Sequence, residues 1–161
     1  MKEFLDKLSS YNLFNYLLPG IIFVVIASKV SHYNFMQEDT IIGLFLYYFV
    51  GLVISRFGSL VIEPLLKRCS FVKFADYKDF VIASKKDEKI DLLSEANNTY
   101  RTLSALFVLL LLLKVYEKIE CKFPVLKEGG MIALIVLLLV TFLVAYRKQT
   151  SYITKRIEAN R

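Results

Sequence analysis

Histidine is nearly absent from this sequence. His32 is the single copy, and the two cysteines, Cys69 and Cys121, lie far apart. So thin a supply excludes a Cys/His metal cluster, which needs several such residues at fixed short spacings. Also missing are HExxH, the GxSxG elbow and any glycine-rich phosphate loop, each of which places a metal, a nucleophile or backbone amides where a reaction requires them. The expectation is a chain that is not an enzyme and holds no metal and no cofactor, with His32 a solvated loop residue. Internal repeats and low-complexity linkers are absent too. The one polar segment of any size spans only about 35 residues, below the roughly 40 that sustain an independent core.

What is present is apolar. Of the 161 residues 56% are hydrophobic, and the mean hydropathy is +0.50, which places the chain in the membrane class. The net charge of +6 therefore reports topology first, because Lys and Arg collect in cytoplasmic loops. The expected fold class is all-α: a single integral membrane domain of four transmembrane helices with helical cytoplasmic extensions.

The spans are expected at about 11–28, 40–62, 101–117 and 129–146. The last begins GGMIALIVLLLV and runs eighteen residues without a charge before Arg147 and Lys148, enough for about 27 Å of helix. The first is equally uncharged and carries Pro19 and Gly20 near its middle, so a kink is expected there. The second holds Arg56, and the apolar pattern continues past it to Glu63 and Pro64. In the third, Thr102 to Leu113 is uncharged and Lys114 interrupts. Upstream of it, Ile90, Leu93, Tyr100 and Phe107 recur at helical spacing, so this helix is expected to start near Asp87 and run unbroken into the membrane, with Ser84 and Asp87 spaced as a capping box. No removable signal peptide is read ahead of the first span.

Sorted by compartment, fifteen Lys and Arg fall in the N-terminal flank, the segment 67–101 and the tail 147–161, against four in the other two loops. That asymmetry puts both termini and the loop 67–100 in the cytoplasm. It also separates Cys69 from Cys121 across the membrane, so no disulfide joins them.

Charged groups inside a span cost about 2.5–3.5 kcal/mol at the bilayer centre and need a partner, an interior or water. Arg56 and Glu63 are seven apart and so share a face of one straight helix, where Arg56 either lines an aqueous path or snorkels to the headgroups. Lys114 has the same two alternatives at the outer surface. Asn12 and Asn15 are either interfacial or hydrogen-bonded to another helix in an oligomer. Gly43, Gly51 and Gly58 form a small-residue stripe that lets a helix approach closely, in an oligomer or within the chain's own bundle. The loop sets Lys73 and Lys78 beside Phe74 and Tyr77, with Arg101 at its end. Two readings stay open: an amphipathic segment on anionic headgroups, or a pocket where aromatics stack bases and cations hold phosphates. In the second, Lys73, Lys78 and Arg101 contact phosphate, and Phe74 and Tyr77 stack.

The runs YNLFNYLLPG, ISRFGSLVIEPLLK, FADYKDF and LLSEANNTYRTL, together with the size and layout, resemble the small four-span membrane effectors of bacterial anti-phage loci. The Hailong-type effector, paired with a nucleotidyltransferase, is the comparison. The resemblance implies a homo-oligomeric inner-membrane channel that permeabilises the membrane when a cytoplasmic nucleotide signal changes. The competing expectation is a membrane scaffold that conducts nothing and recruits a cytoplasmic partner through the basic loop and tail.

Overall fold

The computed structural model describes residues 12–123 and 125–160. The basic N-terminal flank with Lys2 and Lys7, and Tyr11 at the head of the first expected span, lie outside the described residues. Every regular element among the described residues is helical: α1 (Leu18–Val30), α2 (Thr40–Phe57), α3 (Glu63–Arg68), α4 (Tyr77–Ser84), α5 (Lys89–Lys122) and α6 (Val125–Ala159). A π-helical turn, Leu13–Leu17, leads into α1, and a second, Gly58–Ile62, joins α2 to α3. Three continuous helical stretches are long and apolar enough to cross a membrane: Leu13–Val30, Thr40–Arg68 and Gly129–Ala159.

Both π turns stand directly before a proline. The ring of Pro19 or Pro64 would strike the carbonyl four residues back in a regular helix and leave it without a donor. Widening the preceding turn to i→i+5 bonding, Leu18 N–H to Leu13 O and Glu63 N–H to Gly58 O, moves that carbonyl aside. Each proline then sits in the first turn of the helix that follows, where its missing N–H costs nothing. The expected kink at Pro19 is thus a π turn.

Helices α1, α2 and α5 pack as a three-helix unit around Ala27, Ile54, Ile62, Ala105, Leu106 and Leu110. Gly20 and Gly51 face each other across α1 and α2: a Cβ on Gly20 would stand 1.8 Å from Tyr47 O, and one on Gly51 1.7 Å from Tyr16 O. Only glycine admits backbones this close. Gly58 takes the same part against α5, where a Cβ would meet Ala105 Cβ at 3.2 Å and Arg101 O at 3.3 Å. Gly43 lies against Gln37 and Tyr47. The glycine stripe is therefore used inside the chain, and self-association gains no support from it.

Helix α6 is different. None of its most apolar stretch is buried, against 33% and 28% of the other two apolar stretches. Its contacts include Tyr116 Oη of α5, which donates to Leu126 O at 3.3 Å, Phe142 stacked on Phe49 of α2 at 6.0 Å, and a set of polar and aromatic contacts near Lys148.

Helix α5 runs unbroken from Lys89, as its periodicity predicts. Its start differs in detail: Asp87 Oδ1 accepts from Lys89 N–H at 3.0 Å, while Ser84 Oγ donates to Val81 O within α4, so no capping box forms. The 71–76 stretch is not helical, so Phe71 and Phe74 do not share a helix face with Lys78 and Val81.

Candidate functional site

The polar groups of the bundle gather at three levels. Between α1, α2 and α5, Asn15, Ser55 and Thr102 are all buried and joined to one another: Thr102 Oγ1 donates to Asn15 Oδ1 at 2.8 Å, and Asn15 Nδ2 to Ser55 Oγ at 3.3 Å. Inside a bilayer such groups pair or are not tolerated. Asn15 points inward and bonds two helices of its own chain, which is neither the interfacial position nor the bond to another subunit that the sequence suggested.

About two helical turns beyond Ser55 lies Glu63, also buried. Its carboxylate accepts from Arg101 Nη1 at 2.6 Å and Lys67 Nζ at 3.0 Å, with Lys148 Nζ at 3.7 Å. Lys148 also donates to Ser59 O at 2.7 Å and Ser59 Oγ at 2.8 Å. The first of these bonds has a clear origin. In the π register the donor for Ser59 O would be residue 64, a proline with no N–H, and the α6 lysine takes its place. Arg101 Nε is buried without a hydrogen-bond partner among the described residues.

Arg56 and Glu63 do not pair, although seven residues separate them. The intervening π turn adds one residue to the helical phase, a rotation of about 100°, which moves Glu63 toward α5 and leaves Arg56 beside α6. Arg56 Nη2 donates to Tyr16 Oη at 3.2 Å. Its guanidinium lines a small cleft with Ser59, Leu60, Ala145, Lys148, Gln149 and Tyr152.

At the opposite end Lys114 pairs with Glu117 and donates to Val30 O at 2.6 Å, tying α5 to the end of α1. His32 is more than a solvated loop residue. Its N–H donates to Glu117 at 2.8 Å, and its ring nitrogens lie 2.6 Å from Glu117 and 3.4 Å from Glu120. Tyr33 donates to Glu120, and burial followed by that carboxylate pushes its phenol above the ordinary tyrosine range. A lone His gives no hint of this in sequence, since both partners lie some 85 residues on.

The expected ligand residues do not converge on one pocket. Lys73, Phe74 and Lys78 are exposed. Phe74 has Lys67 Nζ 4.0 Å above its ring, Tyr77 packs on Tyr152 of α6 at 5.8 Å, and Arg101 is committed to Glu63. Tyr77 and Phe74 thus touch the two groups, Tyr152 and Lys67, that flank the Glu63 cluster. In the sequence Gly20 marks only a kink and Lys148 only the end of a span, and Ser59 carries no signal, because their parts depend on which helices meet. The chain matches no family model, no curated protein and no solved structure.

Proposed function

We propose that this chain is a non-catalytic, four-span membrane protein of the bacterial inner membrane with both termini cytoplasmic. It assembles as a homo-oligomeric channel and acts as an anti-phage effector opened by a nucleotide or oligonucleotide signal from a genetically linked nucleotidyltransferase. The fourth span is α5. Its uncharged run Thr102–Leu113 lies alongside α1 from Asn15, bonded to Thr102, to Val30, bonded to Lys114, so α5 crosses wherever α1 crosses. The charges bounding that run, Arg101 and Lys114, are both paired, which offsets the cost of placing them near the hydrocarbon.

The observation that carries the channel reading is the apolar run of α6: uncharged from Gly129 to Tyr146, its most apolar stretch unburied, and held to the bundle chiefly near Lys148. The interior of one chain is filled, so a conducting path runs between subunits, with α6 at the joint. The loop reaches this helix through Tyr77 on Tyr152 and reaches the Glu63 cluster through Phe74 and Lys67. A ligand held by Lys73 and Lys78 therefore acts on both, and Arg101 joins it only by leaving Glu63.

Planar-bilayer recording of the purified chain tests this. Unitary currents are expected, with selectivity shifted toward cations in Arg56→Glu. Silent bilayers, with membrane potential intact in cells where the protein is verified in the membrane, would favour the scaffold reading. That reading draws on the uncharged run Gly129–Tyr146 of α6, whose exposed side chains are almost all apolar and offer little polar lining of their own.

A further inference from the structure

We infer that the cleft between the π turn after α2 and the Lys148 turn of α6 is a binding site for a phosphate group, held by Arg56 and Lys148. The inference stands apart from conduction and from the ligand residues of the 67–100 loop.

Charge balance is the first ground. The ion pairs at this end all run to Glu63, which faces Lys67, Arg101 and Lys148, and Arg56 is in none of them. Among the described residues one carboxylate thus stands with four cations, and Glu63 is paired with Arg101 of α5 and not with the Arg56 guanidinium. An anion in the cleft would supply the missing negative charge where Arg56 and Lys148 meet. Geometry is the second ground. Lys148 Nζ is fixed by Ser59 O and Ser59 Oγ at 2.7 and 2.8 Å, and it also lies 5.8 Å from the Tyr152 ring centroid. The ammonium is therefore held in place before any ligand arrives. Arg56 gives one nitrogen to Tyr16, which anchors the side chain and leaves the planar fork with further donors, the arrangement that suits phosphate oxygens. Gln149 and Tyr152, also lining the cleft, add neutral polar groups at its rim.

Depth is the third ground. Lys148 follows the uncharged run Gly129–Tyr146 by two residues, about 27 Å of helix. In a membrane the cleft therefore lies at the level of the lipid phosphates, open to the bilayer surface and to the aqueous phase. A lipid phosphomonoester and a free phosphate present the same chemistry here.

Thermal unfolding of the full-length chain in neutral detergent, followed by circular dichroism, distinguishes the sources. The probes are phosphatidic acid, diacylglycerol of the same acyl chains, and inorganic phosphate. Phosphatidic acid should raise Tm in a saturable manner and diacylglycerol should not. Saturation by inorganic phosphate as well assigns the site to a soluble phosphate; saturation by the lipid alone assigns it to a headgroup. Arg56→Gln should weaken the apparent affinity about tenfold, the loss of one charge-assisted contact, and Arg56→Gln with Lys148→Gln should abolish the shift. The exchange Arg56→Lys with Lys148→Arg keeps both charges and should retain binding, while Lys118→Gln with Lys122→Gln, exposed cations at the far end of α5, should leave it unchanged. If the doubly neutral variant does not fold, Arg56→Gln alone decides, since its one bond is to a tyrosine. Undiminished binding in Arg56→Gln, equal shifts with diacylglycerol, or loss of binding in the Lys118→Gln, Lys122→Gln chain would overturn the assignment.

Discussion

Gly51→Ala should lower the stability of the detergent-solubilised chain by at least the upper end of the roughly 1–3 kcal/mol that overpacking usually costs. The added methyl would sit 1.7 Å from Tyr16 O, a backbone atom that no rotamer change can move. Relief requires α1 and α2 to separate, which also pulls Asn15 from Ser55 and Arg56 from Tyr16, bonds made by the same pair of helices. Gly51→Leu should fail to assemble at all. Gly129→Ala provides the control, because nothing lies within 4 Å of a Cβ there; it should be neutral or, in an exposed helix, stabilise slightly. Reversible unfolding in mixed micelles measures the difference, and a Gly51→Ala chain as stable as the unmutated one would refute the close approach of α1 and α2.

Glu63→Gln is the second change with a large expected effect. Removing one member of a buried ionic cluster costs about 3–5 kcal/mol, because the remaining charges lose their counter-ion. Here three cations, Lys67, Arg101 and Lys148, share the one carboxylate. Arg101 is the least exposed of the three and has no second carboxylate, so the cost falls chiefly on it. Lys73→Gln and Lys78→Gln, at exposed loop positions, should stay within about 0.5 kcal/mol of the unmutated chain. A loss under 1 kcal/mol in Glu63→Gln would mean that water reaches the cluster and that it does not hold α3, α5 and α6 together.

Much of the helical layout was legible in the sequence because it depends on properties that act locally. The long apolar runs and the unbroken α5 follow from hydropathy and period alone. The kink at Pro19 was legible as a disturbance but not as a π turn, since sequence shows that a proline must be accommodated without showing how. The same omission misplaced Arg56 and Glu63: their seven-residue spacing implies one face only if the helix keeps 3.6 residues per turn, and the π turn between them breaks that condition. Gly51 and Gly58 announced close packing, yet a spacing cannot say whether the neighbour is another copy or another helix of the same chain. Lys148 gave no signal beyond ending a span. Its part arises from Pro64, 84 residues earlier, which leaves Ser59 O for it to bond.

The central claim is that α5 crosses the bilayer beside α1, so that Cys69, after α2, and Cys121, at the far end of α5, lie on opposite sides. Both thiols are free and exposed, which makes them direct reporters. A membrane-impermeant maleimide applied to intact cells should modify Cys121 in a Cys69→Ser chain, and should reach Cys69 in a Cys121→Ser chain only after permeabilisation. Equal labelling of the two in intact cells, or protection of both until the membrane is opened, would place them on one side and contradict the four-span account.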